Sequence, residues 1–392
     1  MRAVGYAYPW DYAGDPEAAQ RALDVGVGVV ALAAAYHATR AVSPLSPTRR
    51  LLDVPESACY VPVRDEAWRG HRLKPSAPTW SDDPDLFGSA ERRLTRAGLA
   101  VEAWIVLSHH DQLGREHPDL AVRNAFGDVY TYALCPRATD VRDYCVTLAE
   151  EIVRASPCRG VVLEACGPMG LDHASLHDKS EYARWSSTAQ QLLSICFCDA
   201  CESALADVGI DVTRLAQLVR DGVDNGADSV EESLGSELAD GVASYRGTLS
   251  ALLRREIVQG VHEVRDVEVT VHTSPDRWST GAFPASGETG SFAGVTRVVA
   301  NCWDGLHAAK ELSSLALVVG DRCALGAYLR LDRGWDESSV ESTIDEYVRS
   351  GMTELHLYHL GLLSRAGLDT ARRVVKAGHE RATGSKSEGP ST

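Results

Sequence analysis

Short apolar runs rich in β-branched residues and alanine alternate along this chain with longer stretches in which apolar positions recur every three to four residues. The first kind reads as strands buried on both faces, the second as amphipathic helices packed over them. Eight runs qualify as strands: residues 3–8, 27–35, 99–107, 160–164, 267–272, 296–301, 325–331 and 354–358. Helical periodicity separates most of them, as in 139–155 and 338–350, and a last helix is expected over 368–381. Eight strands alternating with helices in 392 residues predict a (β/α)8 TIM barrel with insertions. A doubly wound open sheet is the alternative architecture.

Two connections are longer than a barrel needs. Residues 39–83, rich in Pro, Arg and Trp, follow the second strand. The stretch between strands four and five holds the segment ICFCDAC (195–201) and an acidic helical pattern over 221–241. Structureless loops of that length inside a compact domain usually shape a binding site. The expected organisation is one barrel domain over 1–383, with a cysteine-containing insertion over about 167–245. The polar, aperiodic stretch 384–392 is expected to be a disordered tail.

Charge narrows the partners. Lys+Arg 39 against Asp+Glu 55 gives a net charge of −16. Nucleic acid and anionic membranes need a cationic footprint, so the balance points away from both and towards a small neutral or weakly cationic molecule. The first residues, MRAVGYAYPWDYAG, show no basic region followed by an apolar run. No signal peptide is therefore expected, and no window approaches the length of a membrane span. The ten cysteines are dilute. In a chain of cytoplasmic character this predicts reduced thiols or a metal rather than disulfides.

Three of those cysteines fall within six residues: Cys196, Cys198 and Cys201. A C-x-C-x-x-C run needs one more soft ligand to close a tetrahedral zinc site. Cys135, in the segment ALCPRATDVRD (133–143), is the first choice for it and Cys166 the rival. Three half-buried thiols at a helix start, or a redox centre, are the competing readings. Four thiolates would leave no open coordination position, so such a zinc would be structural.

The order of a Cys-Pro segment, an acidic end to strand four and then CFCDACESALADVGID (196–211) resembles barrel glycoside hydrolases. It is similar to the zinc-clipped β-galactosidases of family 42, and closer to uncharacterised glycosidase-like barrels whose strand-four acid precedes a CYCxxC segment. The resemblance runs loosely from SHHDQLGREHPDLAVRNAFGD (108–128) through Asp211, and returns in ALGAYLRLDRGWDES (324–338) and ELHLYHLGLL (354–363). It implies a barrel fold and chemistry on sugars. The β-galactosidases carry Asn-Glu at strand four where this chain has Leu163-Glu164, and a strand-seven glutamate where this chain offers Asp332.

Catalytic groups in a barrel come from the C-terminal ends of the strands. The polar residues just past the apolar runs include Trp10 and Asp11, Tyr36 and His37, and His109, His110 and Asp111. Further along they are Glu164, His272 and Asp276, Asn301, Trp303 and Asp304, Arg330 and Asp332, and His359. Glu164 stands out because it ends the buried run VVL (161–163), where a carboxylate is costly unless paired or used. Its roles are nucleophile or general acid/base, or a structural ion pair. Glycoside hydrolysis needs a second carboxyl, for which Asp304, Asp276 and Asp332 are candidates, Asp304 with Trp303 beside it. His173 and His177 stand four residues apart in LDHASLHDKS (171–180) and can share a ligand. Lys179 can meet an anionic substituent, and His109 and His110 can hold sugar hydroxyls. Trp10, Trp104, Trp278, Trp303 and Trp335 lie near strand ends, where an indole can stack on a sugar or simply fill the core. No phosphate loop, Gly-x-Ser-x-Gly elbow or His-Glu-x-x-His motif is present.

The expected function is glycosidic bond cleavage by carboxylate catalysis on a small carbohydrate, with no organic cofactor. A sugar isomerase, epimerase or lyase is the second possibility and a carbohydrate-binding barrel without catalysis the third. Self-association into a homo-oligomer stays open.

Overall fold

Each of the eight apolar runs forms a strand, and each strand lies parallel to the next: β1 (Arg2–Ala7), β2 (Val29–Tyr36), β3 (Ala100–Val106), β4 (Gly160–Glu164), β5 (Glu268–His272), β6 (Arg297–Asn301), β7 (Ala324–Arg330) and β8 (Glu354–Tyr358). Pairing of β8 with β1, and of β1 with β2, closes the cylinder. The computed structural model describes residues 1–171, 183–287, 291–331, 335 and 339–384. Strands such as Val29–Tyr36 are apolar at nearly every position because both faces are buried, one by the barrel interior and one by the helices.

The outer layer consists of α1 (Ala18–Val25), α2 (Leu86–Arg96), α3 (Thr139–Ala155), α4 (Ser236–Val264), α5 (Gly305–Val319), α6 (Val340–Arg349) and α7 (Arg365–Gly384). Among the described residues no helix joins β5 to β6. That connection is held instead by Arg254 of α4, which is fully buried and donates to the Ser286 and Ser291 carbonyls at 2.9 Å each. Its guanidinium also lies 4.2 Å from the centre of the Phe292 ring. No described helix is long and apolar enough to cross a membrane.

Between β4 and α4 lie four short helices, Ser187–Leu193, Asp199–Asp207, Val212–Asn225 and Val230–Leu234, with an apolar cluster of their own around Leu192, Leu215, Val219 and Val242. The single acidic helix expected over 221–241 is broken twice. Gly226 and Gly235 adopt φ of +70° and +77°, which ends one helix and turns the chain into the next. The insertion is tied to the hairpin Ala121–Arg123/Val129–Leu134 that follows β3. Phe197 N–H donates to the Arg123 carbonyl at 2.7 Å, and the Tyr130 hydroxyl donates to the Leu193 carbonyl at 3.0 Å. The long connection after β2 folds as a small hairpin, Thr39–Val42 with Leu51–Val54, and a two-residue strand, Ala58–Cys59, that pairs antiparallel with β2.

The base of the barrel is plugged by charge. Glu354 binds Arg2 at 2.6 Å and Arg297 at 2.9 Å, Arg2 also bonds Glu102, and Arg297 reaches Glu268 at 2.7 Å. Above this layer Gly326 leaves room for a histidine: a Cβ there would fall 2.6 Å from the His356 ring.

Candidate active site at the barrel mouth

Glu164 is the last residue of β4 and is 8% exposed. Two neighbouring strands address its carboxyl. Trp104 of β3 donates its indole N–H to Oε2 at 2.8 Å, and Nδ1 of His272 on β5 stands 3.5 Å from the same oxygen. Burial raises the Glu164 carboxyl from 4.5 to about 7, against the lowering effect of the Trp104 bond. A carboxyl that titrates near neutrality is what general acid or base catalysis requires. Burial likewise keeps His272 neutral, pushing it well below the usual imidazole value with help from His356.

The backbone beside Glu164 is unusual. Ala165 adopts φ +54°, a region that costs an L-residue roughly 1–2 kcal/mol. The Ser108 hydroxyl, donating to the Ala165 carbonyl at 2.7 Å, helps hold it there. Strain of this kind gathers at functional sites.

Aromatic rings extend from Glu164 in both directions. On one side Trp104 meets Tyr36 (4.8 Å between ring centres), Tyr36 stacks on His37 (4.2 Å) and His37 on His109 (4.3 Å). On the other, His272 meets Tyr328 (4.9 Å), and Tyr328 stacks on Trp303 (6.0 Å). Trp303 is 43% exposed, leans on Tyr358, and carries the Arg330 guanidinium 5.2 Å from its ring centre. Three of the expected residues, His109, Glu164 and Trp303, therefore lie on one continuous aromatic floor.

The remaining expected residues are placed as follows. His110 caps the short helix Asp111–Glu116, its Nδ1 accepting the Leu113 N–H at 3.2 Å, and burial pushes its ring down to about 3. Asp276, just past β5, is exposed and accepts the Trp278 N–H at 2.9 Å. Asp304, just past β6, is exposed and precedes α5. Both act on Glu311 of α5, whose carboxyl is raised first by burial and then by these two charges. His173, His177, Lys179 and Asp332 lie outside the described residues.

The structure adds groups that sequence reasoning left without a role. Asp111 is buried, its Oδ1 has no hydrogen-bond partner among the described residues, and it lies 3.9 Å from His109 Nε2. Asp11 is buried beside His359 at 3.9 Å, and burial raises it to about 7 despite bonds from Tyr8 N–H and the Ser43 hydroxyl. Trp104 bonds Glu164 directly, and Tyr6, His272 and His356 fill the barrel interior. Alternation within the strands, Tyr6 with Tyr8 and His356 with Tyr358, was the available signal for these inward faces.

The four thiols of Cys135, Cys196, Cys198 and Cys201 meet between the hairpin that follows β3 and the insertion that follows β4, with all Sγ atoms within 4.8 Å of one another. Cys135 lies 3.5 Å from Cys201 and 3.9 Å from Cys196. A tetrahedral metal with Zn–S bonds of about 2.3 Å sets its sulfurs roughly 3.8 Å apart, so the cluster could hold a metal ion. Cys166 is not in the group.

No sequence family and no curated protein matches this chain. Solved structures do match. The α-L-fucosidase isoenzyme 2 of Paenibacillus thiaminolyticus superposes with a TM-score of 0.59 at 12% identity, over 98% of this chain and 50% of that one. The catalytic domain of β-amylase from Paenibacillus polymyxa gives 0.59 at 13%, over 96% and 98% of the two chains. The PgaB (BpsB) glycoside hydrolase domain of Bordetella bronchiseptica gives 0.57 at 14%, over 95% and 98%. The chain has the fold of glycoside hydrolase barrels. It spans half the length of the fucosidase, and the full length of the other two apart from a few residues.

Proposed function

We propose that this protein is a glycoside hydrolase acting on a small neutral carbohydrate in the cytoplasm, with Glu164 at the anomeric centre as nucleophile or general acid/base. The observation that carries the reading is the Glu164 carboxyl itself. It is buried at the C-terminal end of a barrel strand, titrates near 7, and is flanked by aromatic rings that suit the apolar face of a sugar. The names of its structural neighbours, a fucosidase, an amylase and a glycoside hydrolase domain, point the same way.

The partner carboxyl is assigned to Asp304 or Asp276. Asp276 already commits one oxygen to the Trp278 amide, which favours Asp304. His109, His110 and Trp303 are proposed to contact the sugar, with His173, His177, Lys179 and Asp332 as further substrate-binding residues. The four-cysteine group holds zinc in a structural role, since four thiolates leave the metal no open position. Free thiols at all ten cysteines fit a reducing compartment.

Hydrolysis of a panel of aryl glycosides by the wild-type protein and by Glu164→Gln tests the reading. Turnover of at least one substrate is expected, with a loss of about 10²–10⁴-fold in the variant. Wild-type protein that turns over none of the panel, or a variant as active as wild type, would overturn it.

A further inference from the structure

Two arginines of α4, Arg246 and Arg254, are buried, and their surroundings differ. Arg254 gives three hydrogen bonds, to the Ser286 and Ser291 carbonyls at 2.9 Å each and to the Ser291 hydroxyl at 2.6 Å. Arg246, about two turns earlier, is 4% exposed and gives one, from Nη2 to the Trp278 carbonyl at 3.2 Å. Its Nη1 is buried with no hydrogen-bond partner, and no carboxylate among the described residues pairs with it. A buried guanidinium left in that condition is costly, so it calls for an anion.

The cavity beside Arg246 supplies one. It measures about 20 Å³, and Cys135, Cys196 and Cys201 line it together with Tyr245 and Arg246. Val242 and Leu249, a turn to either side on α4, help to close it. Ser194 also lines it but is committed, its hydroxyl donating to the Gln190 carbonyl at 2.8 Å and accepting the Leu171 N–H at 3.0 Å. The Tyr245 hydroxyl, like Arg246 Nη1, is buried and has no partner among the described residues. The sulfurs are the remaining side-chain acceptors on the cavity wall. Burial lowers the Arg246 guanidinium to about 10, and the charges that oppose this are Asp276 first, then Cys196 and Cys201.

As thiols the four cysteines are uncharged and weak acceptors. A metal requires them as thiolates, and four thiolates on a divalent ion leave two net negative charges. Cys135, Cys198 and Cys201 are buried, so such a group needs donors and positive charge close by. Of the other cations near it, Arg137 is half-buried two residues after Cys135, and Arg123 is already paired with Asp199 at 3.2 Å. We infer that Arg246 is the counter-charge of the metal-loaded cluster, with Tyr245 as a second donor to its sulfurs, and that Arg246 carries the hold of the metal to the barrel mouth. The inference rests on the reading of the four cysteines as a metal site. The link to the mouth is Trp278: its carbonyl takes the Arg246 bond, its ring centre lies 5.6 Å from the guanidinium, and its N–H donates to Asp276 at 2.9 Å. The clip therefore does more than tie the insertion to the hairpin. It steadies the turn that carries a rim carboxylate.

Zinc binding to the whole protein tests this. Wild type, Arg246→Gln and Arg246→Lys are stripped of metal under reducing conditions, and zinc affinity is read by competition with a chromophoric chelator. Arg246→Gln, which removes the charge, should bind zinc about 10–100-fold more weakly. Arg246→Lys, which keeps the charge, should stay within roughly fivefold of wild type. Urea unfolding separates this role from plain packing. With zinc bound, Arg246→Gln should be the less stable protein; without zinc, when the guanidinium has no counter-charge, it should be at least as stable as wild type. Equal zinc affinity in wild type and Arg246→Gln, or the same loss of stability in both states, would overturn the inference. So would an Arg246→Lys protein that folds and loses zinc as badly as the glutamine variant. Hydrogen exchange over residues 275–280 reads the link to the mouth. It should quicken by roughly tenfold or more in zinc-saturated Arg246→Gln, and unchanged exchange would overturn that link. Wild type that takes up no zinc would sink the metal reading itself, and this inference with it.

Discussion

At the scale of single residues the most informative contact is the 2.8 Å bond from the Trp104 indole to Glu164. Burial drives this carboxyl upward, and the Trp104 bond is the one resolved influence that opposes it. Trp104→Phe keeps an aromatic ring in this fully buried space and removes the donor together with part of the indole volume. A hydrogen bond to a charged group contributes about 1.5–3 kcal/mol, and each pH unit corresponds to about 1.4 kcal/mol. The limb of the kcat/KM profile that Glu164 governs should therefore move upward by about one to two pH units in this variant. A downward movement would mean that the indole stabilises the neutral acid rather than the carboxylate. The same contact shows where sequence reading stopped. Glu164 was legible because a carboxylate that closes a short apolar run is a local signal. Its partners were not, because Trp104 and His272 reach it from strands separated from it by 60 and 108 residues, and nothing local in the sequence says which side of those strands faces inward.

Elements were more readable than contacts, for a physical reason. Strands buried on both faces must be apolar throughout, so each of the eight announces itself, and the ends differ from expectation by only one or two residues. Within that uniformity only the alternation of Tyr6 with Tyr8 and of His356 with Tyr358 hinted at the polar groups of the interior. The insertion behaves differently. Its short helices depend on two left-handed glycines and on contacts with the 121–134 hairpin, so its periodicity alone suggested a longer helix than exists. The thiol cluster is another of these ties, bringing Cys135 after that hairpin to three cysteines of the insertion. Elemental analysis should find about one zinc per chain. Cys198→Ser, or a strong chelator, should release it, lower the melting temperature by roughly 5 °C or more, and open the 187–235 region to proteolysis while the barrel keeps its far-ultraviolet signal. Protein that holds no metal and melts unchanged in the variant would reduce the cluster to packed thiols.

For the whole molecule, the same buried acids tie stability to pH. Glu164 and Asp11 are both raised to about 7 by burial, from 4.5 and 3.8. Between about pH 4 and pH 7 the folded state keeps protons that the unfolded chain has released. The stability they contribute is fully present below the unfolded values and is lost as pH rises through the folded ones. Glu354 runs the other way. Its folded value of about 2 means that its contribution is present above 4.5 and is lost as pH falls from there. Other carboxylates add their own slopes, so the clean measurement is a difference. Glutamine mimics the protonated form of Glu164, and therefore wild type and Glu164→Gln should be equally stable near pH 4.5. By pH 8 the ionised glutamate sits in a site built for a neutral group, and a difference of about 2.5 pH units in its titration corresponds to roughly 3 kcal/mol. Urea unfolding across this range should show the two curves separating by that amount, with the variant the more stable at high pH. Curves that stay parallel would mean that Glu164 titrates as an ordinary carboxylate, and a reacting carboxyl tuned by burial would have to be sought elsewhere on the rim.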